Sequence, residues 1–218
     1  MSGIEPDLIE TTKLVAVTLK QAHIPFALAG GYAVYARGGP PSVHDTDFFL
    51  KESDVPTAIG ALTAAGLRHE TCAEDWLVKV FHGELLVDLI YKMNGRPVDD
   101  AMLERCDEVE VGSVRMPVLD AADILIGKLL ALSAHHCDFA PLLAVVRALR
   151  EQVDWDRVRS ATEESPYARA FLLLTDGLGI TAPTPPPHLQ HVPDAHEQRT
   201  DSRTPDPPRP IESLEETA

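Results

Sequence analysis

The chain has 218 residues, 44% of them hydrophobic, with 34 acidic against 19 basic side chains and a net charge of −15. That length supports one domain with an appendage, or two small lobes, around a real core, and the charge argues against DNA and against broad non-specific nucleic-acid binding. No apolar run approaches the ~20 residues of a membrane helix, the acidic N-terminus lacks a secretory pattern, and three cysteines without a CxxC pair suit a reducing compartment, so a cytoplasmic location is expected.

In chain order, Leu8, Ile9, Leu14, Val15, Val17 and Leu19 recur at helical spacing and predict an amphipathic helix over Pro6–Ala22. Phe26–Ala29 reads as a short buried strand, followed by Gly30-Gly31 and a helix over Tyr32–Arg37. Phe48–Leu50 reads as a strand after a Pro-Pro turn, and Asp54 is placed to cap a helix ending near Ala65. Trp76–Phe81 and Glu84–Tyr91 flank His82-Gly83 and predict a hairpin. Val109–Val111 and Val114–Met116 flank Gly112-Ser113 and predict a second. Helices are expected over Asp120–Ala134, Asp138–Glu151, Asp154–Ala161 and Tyr167–Leu174. Residues 181–218 hold nine of the eighteen prolines and few apolar side chains, the composition of a disordered tail. The expected class is α+β: a mixed α/β lobe over 1–118, a helical lobe over 119–180 and the tail over 181–218. The cleft between the lobes is the default ligand site.

Four features carry chemistry. Gly30-Gly31, between strand and helix, lets backbone approach a phosphate closely, although diglycine turns are common. Asp45 and Asp47 are two apart in extended chain and share a face; side by side they repel unless cations lie between them, which suits a pair of Mg²⁺ ions. Asp88 interrupts the apolar run Leu85–Ile90. A carboxylate in a buried strand must be paired, protonated or metal-bound, whereas on an edge strand it would simply be wet. Lys128, inside the apolar helix, either reaches a triphosphate or pairs with Asp120 or Asp123. His135-His136-Cys137 is a poor zinc site, since adjacent helical residues point to different faces. Arg147, Arg150, Arg157 and Arg159 are either solvated arginines or a local RNA-facing patch.

The order strand, Gly-Gly, helix, Asp-x-Asp, helix, hairpin with Asp, helices resembles the DNA-polymerase-β-like nucleotidyltransferase superfamily, carried by LAGGYAVYARGGPPSVHDTDFFL and LLVDLIYK. Within it the chain looks most like the stand-alone bacterial AbiEii/MenT toxins. The resemblance implies a nucleotidyltransferase-fold N-terminal lobe with a helical C-terminal lobe. It implies metal binding by Asp45, Asp47 and Asp88 with two Mg²⁺ ions, Mn²⁺ being an alternative. Gly30, Gly31, Ser42 and Lys128 would hold the nucleotide, and Asp138 would be the acidic residue following the lysine in that group. It further implies NTP as donor, the 3′ end of tRNA as acceptor, a cognate antitoxin as partner, and no membrane. A protein or aminoglycoside hydroxyl is the alternative acceptor, and a non-catalytic nucleotide-binding module the alternative role. Val43 stands where the group commonly has a hydroxyl, leaving Ser42 or His44 to replace it. Phosphate on Ser42, Thr46 or Ser53 would set negative charge against Asp45 and Asp47.

Overall fold

The computed structural model describes residues 6–42 and 45–181, which belong to one compact unit. The expected tail, apart from Thr181, and the readings on Val43 and His44 lie outside the described residues. Helix α1 (Pro6–Gln21) is followed by β1 (Phe26–Ala29), α2 (Gly30–Ala36), β2 (Asp45–Leu50), α3 (Val55–Ala64) and β3 (Arg68–Glu70). Then come β4 (Leu77–His82), β5 (Leu85–Ile90), the short pair β6 (Lys92–Met93) and β7 (Arg96–Pro97), and α4 (Asp100–Glu104). The hairpin β8 (Asp107–Val111) and β9 (Val114–Val118) leads into α5 (Ala121–Leu130), α6 (Ala140–Leu149), α7 (Trp155–Thr162) and α8 (Pro166–Gly177).

Seven strands form one mixed sheet in the order β3-β4-β5-β2-β1-β9-β8. β2 runs parallel to β5 and β1 parallel to β9; the other neighbours are antiparallel. All four residues of β1 are buried, as expected of a strand covered on both faces. On one face Thr46 of β2 is fully buried and its hydroxyl accepts from Thr12 of α1 at 3.1 Å. On the other, Phe49 of β2 and Ile90 of β5 line a space closed by Ile124 and Gly127 of α5. The core between these layers includes Leu28, Phe48, Leu50, Leu89, Met116 and Leu125. Burying each such side chain fully contributes roughly 2 kcal/mol.

Arg37, just past α2, ties distant segments together. Its Nε donates to Leu119 O (2.8 Å), and one terminal nitrogen donates to Val118 O and to Asp107. Gln152 Nε2 donates back to Arg37 O at 2.9 Å, bringing in the segment after α6.

Several expectations are corrected. The glycine pair opens α2 instead of preceding it, and β2 begins at Asp45, so both carboxylates are part of the strand. Asp54 does not cap α3 with its side chain; it adopts helical backbone geometry there. The first hairpin turns at Gly83-Glu84, because His82 pairs with Leu85. The second turns at Gly112-Ser113 as expected, with φ of +54° and +69°, the left-handed pair that a tight I′ hairpin needs. Helix α5 ends at Leu130, and Ser133 and His136 pair across a turn, so His135, His136 and Cys137 are exposed and non-helical. The strand β3, the β6–β7 pair and α4 were not anticipated; α4 is capped by Asp99, which accepts from Met102 N at 2.8 Å.

Candidate active site

The register of the sheet builds the site. Asp47 on β2 sits opposite Asp88 on β5, and Asp45, two residues earlier, faces the same way. One carboxylate oxygen from each of Asp45, Asp47 and Asp88 can be chosen so that all three lie within 4.8 Å of one another. β5 is an interior strand, so the edge-strand reading of Asp88 does not hold. Asp88 is buried and its Oδ1 has no hydrogen-bond partner among the described residues. Burial, then the charges of Asp45 and Asp88, push Asp47 up to about 7 against the pull of Lys128 and a hydrogen bond from the Gly31 N–H. Burial and Asp45 push Asp88 up to about 6, opposed by Lys79. Three converging carboxylates with an orphaned oxygen and oxygen-only donors form a cradle suited to hard divalent cations.

Two glycines let this cluster form. Gly30 has a φ of +58°, and a Cβ there would lie 1.6 Å from Asp47 Oδ2. At Gly31 a Cβ would meet Ser42 Oγ at 2.4 Å, and Ser42 Oγ donates weakly to Asp45 O at 3.5 Å. The diglycine thus brings backbone against the carboxylates themselves, a closer role than a phosphate turn alone. Lys128 of α5 shares a cavity of about 160 Å³ with Gly30 and Asp47.

Neither Asp120 nor Asp123 is the partner of Lys128. Asp120 caps α5, accepting from Ala122 N and Asp123 N, and Arg157 of α7 donates to it. Asp123 is buried and accepts from Arg105 Nε (3.0 Å) and Arg157 (3.3 Å). These pairs fix α5, and with it Lys128, against α4 and α7. Replacing Asp123 by alanine leaves the Arg105 guanidinium without a carboxylate and Arg157 with Asp120 alone. The expected cost is about 2 kcal/mol, below the range for fully buried pairs, and is read as a fall in Tm.

The arginines considered as an RNA-facing patch are largely engaged within the chain: Arg157 as above, Arg159 with Asp176, and Arg150 with Glu151. Asp138 is exposed, and its Oδ1 accepts from Ala140 N at 3.0 Å where α6 begins. Thr46 is fully buried on the α1 side of the sheet and out of reach of modification, in contrast to half-buried Ser42. Two residues near the triad escaped the sequence reading. Lys79 of β4 lies opposite Asp88 and bonds Glu74 at 3.1 Å. The alternation of the 77–82 strand is the signal that could have placed Lys79 beside Asp88.

This sheet, with its carboxylates on adjacent parallel strands and a helical segment closing over them, defines a nucleotidyltransferase of the DNA-polymerase-β-like fold. The family described as "Nucleotidyl transferase of unknown function (DUF2204)" matches residues 9–173, and the chain belongs to it. No curated protein matches the sequence. Among solved structures, the chain is similar to ANT(2″)-Ia in complex with adenylyl-2″-tobramycin, with 13% identity, 76% of this chain and 97% of that one covered, and a TM-score of 0.56. The solution structure of the antibiotic-resistance factor ANT(2″)-Ia gives 14% identity, coverage of 81% and 97%, and a TM-score of 0.54. An antigenic nucleotidyltransferase-like protein from Paracoccidioides brasiliensis gives 13% identity, coverage of 81% and 91%, and a TM-score of 0.51. At these identities the likeness is one of fold. Among the described residues no helix is long and apolar enough to cross a membrane.

Proposed function

We propose that the protein transfers a nucleoside monophosphate from an NTP to an acceptor hydroxyl at the Asp45–Asp47–Asp88 site. The convergence of these three carboxylates, one oxygen of Asp88 being buried without a partner, is the observation that carries this reading. Asp45, Asp47 and Asp88 would hold two divalent cations, Mg²⁺ or Mn²⁺. When bound, such ions neutralise triphosphate charge and acidify the acceptor hydroxyl. Lys128 offsets the negative charge that accumulates on the leaving pyrophosphate. Asp88 accepts the hydroxyl proton as the hydroxyl oxygen attacks the α-phosphorus and the bond to the β-phosphate bridge breaks. Ser42 and the Gly30-Gly31 backbone position the nucleotide beside Asp47.

For the acceptor, the observation with most weight is charge. The net charge is −15, and three of the five arginines on the C-terminal helical segment are paired internally. A polyanion gains little from such a surface, whereas a cationic, hydroxyl-bearing small molecule is attracted to it. The tobramycin adduct bound by ANT(2″)-Ia belongs to that chemical class. The second reading, the tRNA 3′ end modified by the toxin of a toxin–antitoxin pair, rests on the sequence resemblance. One feature favours it: on the same face of the sheet as the triad, Arg68, itself paired with Glu70, lies over the Phe81 ring at 4.9 Å, a cation beside an aromatic face.

Each α-³²P-NTP should be incubated with Mg²⁺ and either an aminoglycoside panel or total tRNA, beside an Asp45→Ala/Asp47→Ala control. Label on an aminoglycoside supports the first acceptor, and label on tRNA the second. Transfer to neither, nor to added protein, by a preparation that binds NTP leaves the non-catalytic module.

A further inference from the structure

A larger cavity of about 700 Å³ lies beside the triad cavity and shares Phe49, Ile90 and Met93 with it. Its other walls include Asp75, Trp76, Asn94 and Gly95. Trp76, the largest kind of aromatic side chain, is 42% exposed at the cavity wall. Its backbone is nevertheless fixed, since Trp76 O accepts from Tyr91 N (3.0 Å) and Lys92 N (3.2 Å). The β6–β7 hairpin that forms the floor is pinned to the helix of Lys128. Asn94 Nδ2 donates to Gly127 O at 3.4 Å, and Met93 Sδ sits so close that a Cβ at Gly127 would lie 2.8 Å from it. The cavity therefore has an aromatic wall anchored at its backbone and a floor coupled to the helix of Lys128.

The sheet register indicates what this cavity holds. Ala29, Asp47, Asp88 and Lys79 lie in one row across β1, β2, β5 and β4. Gly30 follows Ala29 at the β1 end of that row, Lys128 shares a cavity with Gly30 and Asp47 and acts on the Asp47 carboxyl, and Lys79 lies at the β4 end. Phosphoryl transfer needs the leaving pyrophosphate and the attacking oxygen on opposite sides of the phosphorus. With the pyrophosphate at Lys128, the acceptor comes in over β5 and β4. The remaining substituent of the α-phosphate, the nucleoside, must leave the row along the strands. In the direction of Phe49 and Ile90 that path enters the Trp76 cavity.

We propose that this cavity binds the nucleoside of the donor NTP, with a purine base stacked on the Trp76 indole; this rests on the nucleotidyl-transfer reading above. The volume accommodates a purine and its ribose. Asp75, an acceptor-only side chain, suits a base that presents ring or exocyclic N–H groups, and the Asn94 amide complements either edge polarity. Stacking on an aromatic side chain tolerates either purine, so Trp76 contributes affinity while Asp75 and Asn94 contribute choice.

The test uses the full chain with Mg²⁺ and follows tryptophan fluorescence alongside equilibrium dialysis of radiolabelled NTPs. ATP or GTP should quench wild-type emission saturably, at the concentrations that dialysis gives for binding. In Trp76→Phe binding should persist while the quench disappears, since Trp155 is engaged elsewhere through its Nε1 bond to Arg150 O. Trp76→Ala should raise the dialysis Kd for NTP roughly tenfold. NTP binding by dialysis with no Trp76-dependent quench, and an unchanged Kd in Trp76→Ala, would place the base elsewhere and overturn the assignment while leaving the transferase reading intact. Quenching of Trp76 by an aminoglycoside or tRNA in the absence of NTP would make the cavity the acceptor site, again overturning it. No NTP binding at all would remove both readings.

Discussion

Replacing Asp45 and Asp47 together by asparagine is expected to reduce nucleotide transfer by on the order of 10³-fold or more, while stabilising the metal-free protein at pH 8. The loss follows from removing two of three converging carboxylates, with a magnitude like that of deleting preorganised electrostatic groups from other active sites. The gain follows from the pH linkage. The ordinary value of an aspartate is 3.8, and burial beside Asp45 and Asp88 pushes folded Asp47 up to about 7. A carboxyl whose folded value is raised binds its proton more tightly when folded. Its contribution to stability is therefore complete below about pH 4, falls as pH rises through about 7, and is absent above it. Asp88, raised to about 6, titrates in the same window. The metal-free wild type should lose Tm between about pH 4 and 7, by roughly 5–10 °C for a cost of a few kcal/mol in a chain of this size. The double variant should lose little, and Mg²⁺ should restore the wild type at pH 8, by scanning fluorimetry. A flat wild-type profile would show that the carboxylates are not held together in solution.

Gly30→Ala is expected to cost as much activity as removing a carboxylate, though it alters no charge. The added Cβ would lie 1.6 Å from Asp47 Oδ2, on a residue whose φ of +58° already disfavours a side chain. The strain is on the order of 1 kcal/mol for the backbone alone. The larger effect is displacement of Asp47, since Gly30 is held between the buried strand β1 and the buried Tyr32 of α2. Misplacing a reacting group by an ångström costs about 10²-fold. The readout is kcat at saturating NTP together with Mg²⁺ affinity, both of which should fall. Gly31→Ala should be milder, because the atom it meets, Ser42 Oγ, ends a side chain on a loop.

The triad was legible because each member contradicts its surroundings. Asp45 and Asp47 sit at the mouth of an apolar strand, and Asp88 interrupts five apolar residues. Pattern alone exposes such conflicts, and family resemblance then orders them. Elements defined only by non-local pairing were not legible. Arg68–Glu70 is polar and exposed along its length, and becomes a strand only because Phe81, Val80 and Lys79 lie alongside it. Lys79 was passed over for the same reason: its significance is its position opposite Asp88, a matter of register. The end of α5 at Leu130 is not legible locally because the following residues, Ala131-Leu132-Ser133-Ala134, have helical propensity; the turn joining Ser133 to His136 outweighs it. The ion pairs of Asp120 and Asp123 with Arg157 likewise join segments whose proximity no local pattern encodes.

The pairing of β2 with β5 also has a kinetic side. Asp47 meets Asp88 only after β5 has docked in parallel on β2, past an intervening helix and two further strands. Contacts between segments so far apart in sequence form slowly and late. A chain that has closed only β1 on β2 carries two of the three carboxylates and binds cations weakly. The full cradle is a property of the native topology, so a divalent cation that fills it holds the last strand in place. Its signature would be slower unfolding at an almost unchanged folding rate, the behaviour of a ligand that engages the chain after the barrier has been crossed.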